Sequence, residues 1–396
     1  MLQDKTLLGL LLAVVFMMVG GGMVMPQLPQ VVADFDGSGH SVGYIASAFA
    51  VSYLLLQIPI GSLADRIGCK SLLVLGYLLC ALTGLVFYYA TSANMIFFGR
   101  LVQGIGEAPI WALAPALLSA RFPLTKGRVI GIYSAAMHVG LALGPILGVI
   151  LMRMVSQNAV FIAYSAGCLA GAFIIFLLVE DANIVTKSEC QLRCQFNISD
   201  LVRLVKTGKT LLVLLGITLY GSCYGIFHTN IPFFLLEERN YAPTHIGMFF
   251  SLFYAALSFS QVIAGPVSDR IERIYFMIAG LITVAGALAV LPICSLPWAL
   301  LVVLIAGGGM GVFYLASMAY LHEIVPESLK GTISGAYFLF WGGGYFSGPL
   351  LMTQAVEFSG FQAALMGCSL LTVLVAAGML LVPDSQEAAR NGTGNN

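Results

Sequence analysis

The chain contains twelve apolar runs that are each long enough to cross a bilayer as a helix, which takes about 20 residues. Only 9% of the residues are charged, against roughly 25% in a soluble domain, so lipid must surround most of the chain. We therefore predict an all-α membrane protein of twelve transmembrane helices, here called spans 1 to 12. The runs lie at 6–31, 41–62, 71–90, 94–119, 128–152, 158–179, 209–236, 243–264, 274–293, 297–322, 331–355 and 360–382.

Basic residues outside the spans set the predicted orientation. With the N-terminus inside, fifteen Lys and Arg residues fall in inside segments, and only Arg153 and Arg239 fall in outside loops. Cytoplasmic loops of membrane proteins carry the excess of positive charge. We predict a monomeric integral protein of the cell (inner) membrane, with both termini in the cytoplasm.

The sequence repeats itself at an offset of 204 residues. Gly61–Lys70 returns as Gly265–Arg273, with identical residues at positions 61, 65, 66 and 67 of the first copy. Two halves of six spans have the same topology and are related by an axis along the membrane normal. The predicted domains are an N-terminal bundle 1–180, a cytoplasmic linker 181–208, a C-terminal bundle 209–383 and a cytoplasmic tail 384–396. The offset also relates Gly43 to Gly247, Gly76 to Gly280, Gly104 to Gly308, Gly144 to Gly348 and Pro145 to Pro349.

Three motifs resemble those of the major facilitator superfamily. Gly61–Lys70 is similar to the family's signature between spans 2 and 3, with Cys69 where a basic residue usually stands. Arg100–Gly106 resembles the span 4 signature, and Gly140–Gly148 resembles the span 5 signature of the proton-coupled drug antiporter branch. The resemblance covers nearly the whole chain. It implies two pseudo-symmetric six-helix bundles that rock around a site between them in an alternating-access cycle.

The charged stretch between spans 2 and 3 is a candidate gate. An aspartate there can accept hydrogen bonds from a helix N-terminus and pair with a basic group. The resemblance implies a latch that bridges spans 2 and 11; the alternative is a topology marker whose charges only hold the loop inside. The Gly-Pro pairs of spans 5 and 11 are expected to bend those helices. The predicted gating residues are Gly61, Asp65, Arg66, Gly68, Asp269, Arg270, Gly144, Pro145, Gly348 and Pro349.

Span 4 carries charges deep in its body. At 1.5 Å per residue, Arg100 lies roughly 9 Å and Glu107 roughly 20 Å from its outer start, and ionisable groups at such depth usually face a cavity. Arg100, Gly104, Glu107 and Trp111 share one helical face, with Gln103 beside it. Arg100 and Glu107 are about 10 Å apart along the axis, so a bridging water or substrate group is one possibility. We predict that Glu107 titrates or binds a cation during transport; the alternative is a buried structural pair between helices.

Aromatic residues of span 7 are further candidates for substrate contact. Tyr220, Tyr224 and His228 are spaced at i, i+4 and i+8, and the resemblance places span 7 at the cavity. Tyr314 in span 10 joins them. The alternatives are that His228 makes an interhelical hydrogen bond and that the aromatic rings only pack.

Other classes of function find little support in the sequence. Arg203 stands where a phosphate-binding loop ending in Gly208-Lys209-Thr210 would need glycine, so we expect an ion gradient or the substrate's own gradient to supply the energy. Cys190 and Cys194 alone are weak evidence for metal. We expect no metal, no cofactor, no nucleic-acid partner and no enzymatic activity.

The sequence therefore predicts a secondary active transporter, most simply a proton-coupled exporter of a small organic molecule. Its partners would be the substrate, protons or another ion, and the lipid bilayer. The resemblance implies an acidic residue in span 1 for many multidrug members of the family, and span 1 here contains none, which disfavours a polyspecific cation pump. One alternative is an importer or facilitator of an organic anion with Arg100 on the substrate. Another is a transport-dead sensor on the same fold.

Overall fold

The structure, a computed structural model, describes residues 4–37, 39–57, 59–180, 208–268, 272–325 and 330–381. Within these ranges the chain forms α-helices and one short 3-10 helix, and no β-strand occurs in them. The predicted linker apart from Gly208, the predicted tail, Cys190, Cys194, Asp269 and Arg270 lie outside the described residues. The predicted domain boundaries stay a prediction.

The described residues of the first half of the chain form eight helices. Spans 1 and 2 are each built from two helices in succession, whereas spans 3 to 6 are continuous. In chain order the helices are α1 (Lys5–Val24), α2 (Leu28–Asp36), α3 (Tyr44–Gln57), α4 (Ile60–Ile67), α5 (Cys69–Tyr88), α6 (Ala93–Arg121), α7 (Lys126–Met154) and α8 (Ala159–Leu178).

In the second half, the residues that the structure describes form seven α-helices. Span 7 is built from two of them, and the 3-10 helix Leu291–Ile293 extends span 9. The helices are α9 (Gly208–His228), α10 (Asn230–Glu237), α11 (Pro243–Ser268), α12 (Arg273–Val290), α13 (Leu296–Glu323), α14 (Lys330–Ser359) and α15 (Phe361–Leu381).

Every predicted span is largely helical in the described residues, and the predicted all-α membrane fold is confirmed. Ten of the described helical segments are long and apolar enough to cross a bilayer. Spans 2 and 11 are the exceptions. Span 2 is divided into the 14-residue apolar α3 and the short α4, and in span 11 the glycines and polar residues of α14 interrupt its apolar character.

Local sequence signals decide where two of these helices end. Prolines at positions 26 and 29 predict a kink in span 1 or its end, and α1 ends at Val24 before α2 begins at Leu28. The charges and glycines of Gly61–Lys70 predict a turn between spans 2 and 3, which is wrong for most of the stretch. Residues up to Ile67 belong to α4, and Gly68, at φ 87°, is the single residue between α4 and α5. Glycine adopts this backbone conformation without the penalty that a Cβ would bring.

The chain groups into two compact units. Among the described residues, unit 1 comprises 4–180, Gly225–Ala255 and Pro349–Gln354. Unit 2 comprises 208–224, 256–348 and 355–381, apart from the undescribed residues within them. Unit 1 packs α1 against α7 and α8, α5 against α6 and α8, and α3 against α6. Unit 2 packs α12 against α13 and α15.

Close glycine contacts repeat between the two halves of the chain. In unit 1, a Cβ on Gly106 would lie 2.7 Å from the carbonyl oxygen of Gly76, and a Cβ on Gly76 would meet the carbonyl oxygen of Gly106. In unit 2, a Cβ on Gly280 would lie 2.7 Å from the carbonyl oxygen of Gly309. Gly76 and Gly280 are related by the 204 offset, so both span pairs 3–4 and 9–10 rely on backbone contact that only small residues permit.

The offset does not hold for packing at Gly104. A Cβ on Gly104 would meet Ser52 and the backbone of α3, but Gly308 has no atom within 4 Å of the corresponding position. In unit 2 the equivalent contact belongs to Gly311, where a Cβ would meet Ser260 and the backbone of α11. The sequence repeat therefore relates Gly104 to Gly308, whereas the close packing contact of Gly104 is made by Gly311 in unit 2.

Spans 5 and 11 use a second repeated glycine pair. On α7, a Cβ at Gly140 or Gly144 would lie 2.7 Å from an atom of α1. On α14, a Cβ at Gly344 or Gly348 would lie 2.9 Å from a backbone atom of Ser222 in α9. The 204 offset relates both members of each pair, so it describes a contact made once in each unit.

Unit 1 also contains a reciprocal contact between repeat-related residues. A Cβ on Gly43 would lie 2.8 Å from the carbonyl oxygen of Pro349, and a Cβ on Gly247 would lie 3.2 Å from that of Pro145. Asn230 donates through Nδ2 to the same Pro349 oxygen at 3.3 Å. The offset relates Gly43 to Gly247 and Pro145 to Pro349, so the contact joins span 2 to span 11 and span 8 to span 5 in the same way. We call these four residues the glycine–proline contact.

Candidate functional site

Arg100 is sealed inside unit 1. It is 2% exposed, and its guanidinium carbon lies 4.6 Å from the centroid of the Phe49 ring. Nε donates to the carbonyl oxygen of Ile45 on α3 at 2.9 Å, and Nη1 donates to Gln103 Oε1 at 2.6 Å. A buried charge needs partners of this kind. The backbone carbonyl, the amide and the ring supply them without a carboxylate in direct contact.

Gln103 connects Arg100 to Glu107. Its Nε2 donates to Glu107 Oε1 at 2.8 Å, and Trp111 Nε1 donates to Glu107 Oε2 at 3.0 Å. The structure thus brings the four predicted residues of span 4 together in one chain of hydrogen bonds. The bridge between Arg100 and Glu107 is a side chain, and neither a water nor a substrate group is needed for it. Residues three and four apart on a helix are neighbours, which is why Gln103 reaches both.

The hydrogen-bonded side chains become more exposed from Arg100 towards Glu107 and Trp111. Arg100 and Gln103 are buried, Glu107 is half-buried, and Trp111 is 38% exposed. A second exposed face of α6 carries Phe98 and Ile105. At about 100° per residue, that face lies roughly 120–180° from Glu107 and Trp111. The polar stripe therefore faces away from the apolar, lipid-type surface of its own helix.

Unit 2 gathers aromatic side chains around α9. The ring of Tyr220 lies 5.6 Å from that of Phe313 and 6.3 Å from that of Tyr314. Such centroid distances are typical of interacting rings. Two predicted substrate contacts, Tyr220 and Tyr314, are thus neighbours; Tyr220 is buried and Tyr314 half-buried.

Tyr224 belongs to a neighbouring group of rings on α9 and α14. Its ring is 6.0 Å from Trp341 and 6.1 Å from Tyr345, and the last two stack at 5.3 Å. Tyr224 and Trp341 are half-buried. Trp341 was not among the predicted site residues, and its ring contacts with Tyr224 and Tyr345 are visible only in the structure.

His228 lies in unit 1, near the end of α9. It is 5% exposed, and its Nε2 is 3.0 Å from the hydroxyl of Tyr254 on α11. This is the interhelical hydrogen bond that was one of the two alternatives. A role for His228 in ligand contact or proton relay stays a prediction.

Three predicted gating residues, Gly61, Asp65 and Arg66, belong to α4. The Asp65 side chain lies outside the described part of the structure, and Arg66 is exposed. The latch therefore stays a prediction. The Gly-Pro pairs of α7 and α14 lie at the close helix contacts described above, with Pro145 and Pro349 inside their helices.

An ion-pair cluster ties three helix ends of unit 1 together. Arg121 at the end of α6 binds Asp4 at 2.8 Å and Glu180 at 3.1 Å. Asp4 also caps α1 by accepting the backbone N–H of Leu7 at 3.0 Å. Burial alone would raise the pKa of Asp4, but the hydrogen bonds from Leu7 and Arg121 outweigh it and hold that pKa below its usual value. Asp4 and Glu180 were absent from the predicted sites because neither stands in a motif.

A metal centre is not among the arrangements found. In the part of the chain that the structure describes, no group of three or more His, Cys, Asp or Glu residues could hold a metal ion. The charged stripe of α6 is thus the most elaborate polar arrangement inside a described span.

A helical membrane protein with a repeated six-span scaffold and a charged stripe inside one span has the features of a membrane transporter. The chain belongs to the Major Facilitator Superfamily, whose family model matches residues 10–349 and 213–395. Members of this family are membrane transporters and not enzymes, which confirms the prediction that this protein is not an enzyme.

Curated relatives include drug-resistance proteins and vertebrate transporters. Multidrug resistance protein 2 of Bacillus subtilis is 28% identical over 184 residues, 46% of either chain, so the match spans just under half of that protein. MFS-type transporter SLC18B1 of Homo sapiens is 24% identical over 395 residues, which cover 93% of this chain and 84% of that protein.

Solved structures share the fold at low sequence identity. The nucleoside transporter NupG superposes with a TM-score of 0.79 at 13% identity, covering 95% of this chain and 98% of that one. A bacterial homologue of the human lysosomal transporter Spinster, in an inward-facing and unoccupied conformation, gives 0.79 at 16% identity, covering 95% and 96%. At such identities the likeness concerns the fold alone.

Proposed function

We propose that the protein exports a small organic molecule in exchange for protons, and that Glu107 is the group that couples the two. The observation that carries the proposal is the graded accessibility of the α6 stripe. Its positive end, Arg100, is 2% exposed, whereas its negative end, Glu107, is half-buried beside the exposed Trp111. The charge that a ligand or a proton can reach is therefore the carboxylate.

The surroundings of Arg100 weigh against the organic-anion alternative. A substrate carboxylate would have to displace the Ile45 carbonyl or the Gln103 amide, and it would have to enter beside the Phe49 ring. Leaving a buried donor unpaired costs about 1–3 kcal/mol, more for a charged group. We infer that Arg100 balances and positions Glu107, and that the substrate is neutral or basic.

Membership of the family and the relatives support transport, while direction and coupling are part of the proposal. The Bacillus subtilis relative is named for multidrug resistance, and a Staphylococcus aureus relative, Quinolone resistance protein NorA, is 24% identical over 256 residues, 63% of this chain and 66% of that one. Export from the cell fits both names. The rings of Tyr220, Tyr224 and Tyr314 supply aromatic contact surface for an organic substrate in unit 2.

The glycine–proline contact supports alternating access. It holds spans 2 and 11, and spans 8 and 5, in backbone contact on the predicted outer side of unit 1. A rocking cycle must part these spans once per turnover. The contact has no side-chain interlock at its two glycines, which suits an interface that forms and separates repeatedly.

Transport by the purified protein in liposomes with an imposed pH gradient tests the proposal. Substrate classes are screened for proton flux coupled to export, and the Glu107→Gln variant is compared with Asp36→Asn, which changes an exposed carboxylate at the end of α2. We expect Glu107→Gln to lose proton-coupled transport and Asp36→Asn to retain it. Unchanged rate and pH dependence in Glu107→Gln would refute the coupling role.

A further inference from the structure

We propose that Gln103 directs the transported proton to one oxygen of Glu107, Oε2, and that the Trp111 indole is released when that proton binds. The inference rests on the proposed role of Glu107 and adds to it a positioning residue and a mobile ring. Glu107 Oε1 lies 2.8 Å from Gln103 Nε2, and Oε2 lies 3.0 Å from Trp111 Nε1. The two oxygens of one carboxylate thus have different partners.

Arg100 determines how the Gln103 amide is oriented. A guanidinium has only N–H donors, so the atom it faces at 2.6 Å must be the amide oxygen. The amide nitrogen then necessarily points to Glu107 and donates to Oε1. Turning the amide over would set two donors against each other at Arg100 and would leave a charged, 2% exposed group short of an acceptor.

A proton on Oε1 is therefore disfavoured. Protonation would turn Oε1 from a carboxylate oxygen, a strong acceptor, into a hydroxyl oxygen, a weak one, and the Gln103 N–H, held in place by Arg100, cannot turn to another acceptor. A proton on Oε2 weakens only the hydrogen bond from the Trp111 N–H, and because Trp111 is 38% exposed, that N–H can turn to water instead. Proton binding takes Glu107 from charged to neutral, breaks no covalent bond, and leaves the new O–H directed towards the exposed side of the stripe.

Other ionisable groups surround Glu107 from neighbouring helices. Arg100 on α6 interacts with it electrostatically, as do Tyr77 and Cys80 on α5 and Tyr164 on α8. The tyrosines and the cysteine are ordinarily neutral between pH 5 and 8. A pH transition of the Trp111 signal in that range that is lost in Glu107→Gln therefore reports protonation of Glu107 itself.

Tryptophan fluorescence tests the release of the indole. In the full-length protein reconstituted in liposomes, Trp298→Phe and Trp341→Phe leave Trp111 as the one tryptophan, since the chain has three. We expect one pH transition in which acidification shifts the emission to longer wavelength and increases quenching by acrylamide. A matched protein that keeps only Trp298, which is 63% exposed at the start of α13, should show no such transition.

Two variants separate the inference from a general pH effect. Glu107→Gln must present its carbonyl to the Gln103 N–H and its own N–H₂ to Trp111, so the fluorescence should stay at its acidic value at every pH. Gln103→Leu removes the directing donor, so the proton can occupy either oxygen and the amplitude of the Trp111 transition should fall. If Glu107→Gln does not fold, Glu107→Asp, which withdraws the carboxylate from Trp111, should also lose the transition.

The outcomes distinguish this inference from the proposed function. The inference is overturned if the Trp111 fluorescence does not change with pH, or if it shows the same pH transition in Glu107→Gln. Either result counts even if Glu107→Gln loses proton-coupled transport. An undiminished amplitude in Gln103→Leu overturns the directing role of Gln103. Unchanged coupled transport by Glu107→Gln refutes the proposed function, whatever the fluorescence shows.

Discussion

Gly43→Ala should push apart the contact that closes unit 1 on its predicted outer side. The added methyl would lie 2.8 Å from the carbonyl oxygen of Pro349 and 2.9 Å from Oγ1 of Thr353. Ordinary contact begins near 3.4 Å, so the backbone of span 11 must retreat by about half an ångström. Overpacking of this kind costs about 1–3 kcal/mol. If the contact opens during the cycle, the cost falls on the closed arrangement alone and shifts the population towards the open one about 5–150-fold.

Thiol labelling measures that shift. Ile231 on α10 is fully buried in unit 1, so Ile231→Cys should react with an impermeant maleimide added outside only while the contact is open. Adding Gly43→Ala should speed labelling by a factor in the stated range. The control is Gly21→Ala, because a Cβ at Gly21 has no atom within 4 Å. Equal labelling rates in the Gly43→Ala and Gly21→Ala backgrounds would refute the steric reasoning.

Three further substitutions test the packing, the ion pair and the sealed charge. Gly344→Ala should be less stable to heat than Gly343→Ala by about 1–3 kcal/mol, because only Gly344 faces a close backbone and the gain in helix propensity is common to both. Asp4→Asn, which keeps the cap but loses the charge opposite Arg121, should cost about 0.5 kcal/mol at neutral pH. The pKa of Asp4 is lowered in the folded protein, so this difference should vanish as the pH falls through that pKa in thermal unfolding at stepped pH. Arg100→Lys should lower the free energy of unfolding by about 1.5–3 kcal/mol despite the retained charge, because an ammonium cannot reproduce the two directed bonds from Nε and Nη1. Equal stability and transport in Arg100→Lys would contradict the need for these two bonds.

Hydropathy and the positions of helix-breaking residues predicted much of the fold. A span is an apolar run of fixed length because lipid leaves backbone groups no partner outside their own helix, and such runs can be counted in the chain. Pro26 and Pro29 end α1 through geometry that acts within a few residues. The 204 offset predicted that Gly144 and Gly348 have equivalent roles, and both proved to lie against the first helix of their half of the repeat.

Contacts between distant residues were the part that the sequence could not supply. The acceptor for Arg100 Nε is the backbone carbonyl of Ile45, and every residue has such a carbonyl. The bridge by Gln103 could have been anticipated, since it stands three residues after Arg100 and four before Glu107, but a spacing does not say which partners an amide prefers. The sequence repeat relates Gly104 to Gly308, but it did not indicate that Gly311 makes the equivalent packing contact, because a sequence offset counts residues while packing depends on which helical face meets the neighbour.

The repeat gives the two halves of the chain similar packing but different chemistry. At the 204 offset, Arg100, Gln103 and Glu107 correspond to Leu304, Gly307 and Gly311. In packing, however, Gly311 takes the place of Gly104, and in that register the three residues correspond to Gly307, Met310 and Tyr314. Span 10 therefore carries no charge at these positions in either register. A scaffold that needs glycine at its helix crossings can duplicate the crossings freely, whereas each buried charge requires its own set of partners. The proton-binding group is therefore expected once, in span 4, and the aromatic surface around α9 is left to contact the substrate.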